Sequence, residues 1–176
     1  VKQGDIVLCT SKGLIGAGIR WVQHRKHKHY LITPINGQDK WWQFNHIAVV
    51  NEDMGNGQWT IFQAEARGVT DYRLLDTVAP GGRYQVISLP DCVNRDKFLE
   101  FLQSQVGKDY GYMSILSCFV DLILPDRVCL RQSDTWVCSG LVAGALWYGG
   151  FPGAYKWPDL YTVVPAEIAE AISLSV

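Results

Sequence analysis

Of the five cysteines, at positions 9, 92, 118, 129 and 138, Cys138 has the surroundings of a nucleophile. It opens an apolar run whose next residues, Ser139 and Gly140, are small. A helix starting there brings its dipole and its unpaired backbone N–H groups to the sulfur, favouring the thiolate and offering donors to an oxyanion, with Ser139 on the substrate side. A structural cysteine buried at a helix start is the plainer alternative. Cys9 and Cys118 lie in apolar stretches and read as core, Cys129 sits in a short apolar step between Arg127 and Arg131, and Cys92 follows Asp91, whose charge opposes ionisation. A thiol nucleophile needs a base. His46 is the one histidine outside the cluster 24–29, and alternation along 41–50 places it with Trp42, Phe44, Ala48 and Val50 on an inward face. A lone histidine on an apolar face is more often core than catalyst, so its partners decide.

The chain after His46 reads as a hairpin, with a turn over 51–57 that holds two Gly and two Asn. A turn centred near 54–55 sets position 46 opposite about 63, and a turn longer by a residue or two moves the contact to 65. Gln63 and Glu65 occupy those positions on one face with Trp59 and Ile61. Either can accept the imidazole N–H and fix its tautomer; Glu65 alone adds negative charge, and a solvated strand-end carboxylate is its plainer reading.

The elements that must position these groups are legible from local signals. Residues 5–10 read as a buried strand, and Ser11 as the cap of a helix through Leu14, Ile15, Ile19, Trp21 and Val22. Residues 31–40 are loop. Strands are predicted over 41–50, 59–65, 68–75 and 84–89, with a Pro80-Gly81-Gly82 break before the last. Asn94 caps a helix carrying Phe98, Phe101, Leu102 and Val106 and ended by Gly107. Further helices are predicted over 113–124, closed by Pro125, and from about 136 to Trp147, ended by Gly149-Gly150. Pro165 suits the first position of a last helix over 166–172. Strands early and helices late make an α+β fold, an antiparallel sheet packed against helices.

Size and composition agree. The 176 residues fit one domain, 1–176, and 48% hydrophobic against 19% charged residues supply a core and exclude intrinsic disorder. Aromatic residues at 12% suit packed β-structure or a lined groove. A net charge of −1 implies no polyelectrolyte partner, and no specific nucleic acid is expected. Charge is uneven: residues 1–30 carry six Lys/Arg and one Asp, and 20–30 concentrate the basic side chains, which a solvated helix end explains without a ligand. No cofactor is implied. His24, His27 and His29 have no carboxylate or cysteine nearby in sequence, and no C-x-x-C is present, so no metal site is expected. Residues 135–155 carry no charge, but Gly149, Gly150, Pro152 and Gly153 break the run well short of the ~20 residues a membrane span needs. Gly140 and Gly144 are expected to serve close packing rather than membrane dimerisation. The amino-terminal residues hold no apolar signal core, so a cytoplasmic location, or delivery by a larger assembly, is expected.

The order of Gly4-Asp5-Ile6-Val7-Leu8, Asn45-His46-Ile47-Ala48-Val49-Val50, Ala64-Glu65-Ala66-Arg67-Gly68-Val69 and Val137-Cys138-Ser139-Gly140-Leu141-Val142 resembles the circularly permuted NlpC-like (papain-like) cysteine hydrolases, the YiiX-like and lecithin:retinol acyltransferase-like group. Papain-like enzymes ordinarily run Cys before His; here His46 precedes Cys138, as in the permuted branch. The resemblance spans about residues 4–148. It implies a permuted papain-like fold, with Cys138 as nucleophile, His46 as base and Glu65 as orienting group. Tyr110 resembles the tyrosine before the nucleophile segment and would border the site, although an ordinary packed aromatic is as good a reading. The implied activity is that of a cysteine peptidase or amidase working through an acyl-thioester on bacterial cell-wall (peptidoglycan) peptides. A lipid acyl hydrolase or acyltransferase comes second, and a catalytically silent binding or assembly module of a larger particle third.

Overall fold

The computed structural model describes residues 1–10, 16–21, 23, 41–55, 57–79, 84–111, 135–157, 159–160 and 162–175. The predicted Ser11 cap, the loop 31–40, the break at 80–82, the helix 113–124, Cys118, Cys129 and the basic cluster 24–29 lie outside them. Residues 16–21 are helical, as the first helix requires.

Five antiparallel strands form the sheet: β1 (Ile6–Cys9), β2 (His46–Gly55), β3 (Gln58–Glu65), β4 (Gly68–Leu74) and β5 (Tyr84–Ile87), in the order β4-β3-β2-β1-β5. The mixed α+β architecture is thus present. Two local expectations need correction. Trp41–Gln43 is a 3₁₀ turn rather than a strand, closed by the Phe44 N–H on the Trp41 carbonyl at 3.1 Å. Residues 51–55, read as turn, continue β2, and the ladder absorbs the extra residues in irregularities between Val50, Asp53 and Gly55. The bend itself is tighter, with Gly55 and Gly57 at positive φ.

Helix α1 (Arg95–Gln105) is capped by the Asn94 side chain, which accepts from the Lys97 N–H at 3.0 Å, and Gly107 follows it at positive φ. Helix α2 (Cys138–Tyr148) is apolar around its whole circumference and buried from Cys138 to Leu146, packing on α1, β2 and β3. The spacing of Gly140 and Gly144 serves that packing: a Cβ at Gly144 would lie 2.9 Å from the Phe101 ring and 3.3 Å from Trp136. Among the described residues no helix is long and apolar enough to cross a membrane. Helix α3 (Pro165–Ser173) starts at Pro165, with the Val164 N–H donating to Glu167 at 2.9 Å. A pairing that local patterning does not announce joins β6 (Asp109–Tyr110) to β7 (Thr135–Trp136) in parallel, immediately before α2.

The buried side chains fall into two clusters. Ile6, Leu8, Ile47, Val49, Phe62 and Ala64 meet the helices, whereas Val7, Cys9, Ala48, Val50 and Ile61 pack with Leu75 and Ala79 of a single helical turn after β4. Alternation along each strand produces this division.

Candidate active site

Cys138 is the first residue of α2, preceded by extended Val137, so its sulfur lies where helical N–H groups are unpaired. The Ser139 N–H donates to it, as does the Ile47 N–H from the start of β2. His46, the first residue of that strand, hydrogen-bonds the same sulfur with its side chain. The strand's beginning is well fixed. The Asn45 N–H donates to the Cys9 carbonyl at 3.2 Å, and buried Gln23 donates to the Phe44 carbonyl at 2.7 Å while accepting the Ala166 N–H of α3 at 3.1 Å.

The second imidazole nitrogen, Nε2, lies 2.9 Å from Gln63 Oε1. A carbonyl oxygen only accepts, so Nε2 carries the proton and Nδ1 is left to face the sulfur. Counting on from the Val49–Phe62 pair sets position 46 level with 65, the longer-turn register. The bond nevertheless goes to the diagonal neighbour, because a glutamine side chain reaches that far across a ladder. Glu65, implied by the resemblance as the orienting residue, instead has Oε1 3.8 Å from Arg73 Nη1 and is 29% exposed. Its charge still acts on His46 through space.

The electrostatics follow from these contacts. Burial pushes the Cys138 thiol up, but the His46 charge and hydrogen bond and the two backbone donors outweigh it and bring the thiol below its ordinary value. For His46, burial pushes down; the Cys138 charge and hydrogen bond, the Gln63 bond and Glu65 outweigh it, and the imidazole is raised. The two groups favour a thiolate–imidazolium pair and titrate together.

Cys9 adds a neighbour that sequence reasoning assigned only to core. It is the cross-strand partner of His46, is buried, and its thiol is pushed up to about 12 by burial and by Cys138. The pairing depends on β2 beginning at His46 rather than at 41, which the strand predicted over 41–50 does not reveal. Tyr110 stands in register with Trp136, two residues before Cys138, and packs partly buried against the helix-side core. Ser139 is buried, and its backbone N–H is among the groups that lower the Cys138 thiol. Among the described residues no cluster of three His, Cys, Asp or Glu could hold a metal ion. Family models give no match to the chain, and no curated protein is similar to it.

Proposed function

We propose that the protein is a cysteine hydrolase with a permuted papain-like (NlpC-like) domain, cleaving an amide bond of a bacterial cell-wall peptide through an acyl-thioester. The observation that carries this reading is the chain of contacts Cys138–His46–Gln63: a buried thiol held below its ordinary value by an imidazole whose far nitrogen is itself tied. A packed structural cysteine needs neither partner.

In this reading the Cys138 thiolate attacks the amide carbonyl, a C–S bond forms, and the electron pair moves to oxygen. The Ser139 N–H, less needed by a sulfur that has lost its charge, is then available to the oxyanion. The His46 imidazolium passes its proton to the leaving nitrogen as the C–N bond breaks. Neutral His46 then takes a proton from water, which attacks the thioester; release of the acid restores the thiolate and the imidazolium. Cys138 is only 3% exposed, so the side chains covering it must move aside as substrate enters. The cell-wall peptide rests on the sequence resemblance, and the dyad's chemistry serves a lipid acyl group equally well.

The test is incubation of the protein and of Cys138→Ser with peptidoglycan fragments and with phospholipids, followed by mass spectrometry of products and of the intact chain. Cleaved cell-wall peptide in the wild type alone supports the proposal. An acyl group on Cys138 from phospholipid moves the reading to lipid acyl transfer. No product from either, with Cys138 inert to iodoacetamide at neutral pH, leaves a silent binding or assembly module.

A further inference from the structure

Four polar side chains cross the sheet in a row at the end that carries His46. Cys9 on β1 pairs with His46 on β2, His46 bonds Gln63 on β3, and Gln63 pairs with Thr70 on β4. Gln63 is 1% exposed and Thr70 6%. Both have an unmet polar atom among the described residues: Gln63 Nε2 lacks an acceptor and Thr70 Oγ1 lacks any partner. Residues directly opposite on an antiparallel pair share a face with Cβ atoms about 4.5–5.5 Å apart, so the unmet donor and the unmet hydroxyl belong to adjacent side chains, with no direct hydrogen bond between them.

We infer that Thr70 is a positioning residue: its hydroxyl accepts from Gln63 Nε2 through one water, or directly after a small side-chain turn, and so lets the amide keep its oxygen on His46 without leaving a buried N–H unpaired. The inference rests on the hydrolase reading, because the orientation matters only if His46 is a base. An amide turned by 180° would present N–H to the ring, force the imidazole proton onto Nδ1, and leave beside Cys138 a nitrogen that cannot take its proton. A buried N–H is left unpaired less readily than a buried carbonyl. Without an acceptor the amide is therefore biased toward the turned, unproductive state, and the lone pairs of Thr70 remove that bias. Of the other titratable groups around His46, Cys9 has its thiol pushed up to about 12 and stays neutral, Cys138 faces the ring, and Glu65 acts on it through its charge.

The test uses the full chain with Thr70→Val, which keeps the shape and removes the hydroxyl, and Thr70→Ser, which keeps the hydroxyl. Iodoacetamide alkylation of Cys138, resolved from the other cysteines by peptide mass spectrometry, is followed against pH, and the ring nitrogens of His46 are read by ¹⁵N NMR. Thr70→Val is expected to slow alkylation near neutral pH about tenfold, a usual size for loss of an outer orienting contact. Its ring proton should shift toward Nδ1, with Thr70→Ser close to wild type. An unchanged profile and tautomer in Thr70→Val, or an equal shift in both variants, overturns the inference. If Thr70→Val does not fold, the wild-type spectrum decides, since a neutral ring protonated at Nδ1 is incompatible with it. Wild-type Cys138 that resists alkylation counts against the hydrolase reading instead, and the ring spectrum still judges Thr70.

Discussion

Cys138 and Cys9 are both buried and both adjoin His46, yet their thiols are driven in opposite directions, one below its ordinary value and the other up to about 12. Burial is common to the two. What separates them is first the charge and hydrogen bond of His46 and then the Ile47 and Ser139 N–H groups, all of which lower Cys138, whereas burial and the charge of Cys138 both raise Cys9. Cys138 stands at a helix start facing the first residues of β2, where the imidazole and two N–H groups converge on it, so its ionisation follows from placement rather than residue type.

The widest separation between the two cysteines is expected in turnover. Cys138→Ser should lower it by about a thousandfold or more, since a hydroxyl beside His46 is a far weaker nucleophile. Cys9→Ser in a folded sample should retain turnover within about threefold, because the thiol of Cys9 stays protonated. Steady-state rates on the cleaved substrate check both; comparable losses would mean that the donors around Cys138 do not confer the chemistry.

A second comparison sits one strand away. Gln63 holds the imidazole directly, and Glu65 acts from a partly exposed position beside Arg73. Gln63→Leu should therefore cost about 10- to 100-fold in kcat, and Glu65→Gln no more than about threefold, with solvent screening the carboxylate. This inverts the order that the sequence resemblance implies. A larger loss in Glu65→Gln would show that charge, rather than the hydrogen bond, organises His46.

How far the sequence carried these assignments depends on the range of each signal. The Asn94 cap, Pro165, Gly107 and the Gly149-Gly150 stop are decided within one helical turn, and the corresponding elements lie where local patterning puts them. The start of α2 at Cys138 was legible for the same reason, a cysteine followed by two small residues at the head of an apolar run. Longer-range choices were not. Residues 51–55 carry turn-forming side chains, but pairing with β3 holds them extended and moves the bend two residues on. Trp41 and Gln43 have strand-like neighbours, and packing on α3 folds them into a 3₁₀ turn instead. The β6–β7 pair is two residues on each side, too short for any period to show. Register alone sets His46 level with 65; only side-chain reach selects Gln63, and pattern carries no record of reach.

Titration offers a sharper form of the first comparison. Cys138 is lowered and His46 raised, so both shifts widen the range in which thiolate and imidazolium coexist; the thiolate is lost as pH falls through the lowered Cys138 value and the imidazolium as pH rises through the raised His46 value. Alkylation of Cys138 should accordingly proceed well below pH 9.0, the ordinary thiol value, whereas Cys9 should remain unreactive across that range. In Cys138→Ser the charge that raises His46 disappears while its burial stays, so the imidazole should titrate lower than in the wild type. Histidine NMR across pH reads this directly, and an unmoved value would mean that Cys138 is not the group facing the ring.

The smallest effect reverses the ranking of the two cysteines. A serine at 138 meets the same N–H donors and the imidazole that hold the sulfur, so its hydroxyl is paired and the fold should lose less than about 1 kcal/mol. A serine at 9 lies among Val7, Ala48, Val50 and Ile61, where its hydroxyl must be desolvated against an apolar layer, at a cost of about 1–3 kcal/mol. Cys9→Ala separates the causes, since it removes the polar group and leaves only a small volume deficit; it should sit between the wild type and Cys9→Ser. Urea midpoints at matched slopes give the three values. If Cys9→Ser is instead the milder of the two serine variants, its hydroxyl has found a partner, and His46 across the ladder is the group to examine, because a bond there would compete with the dyad.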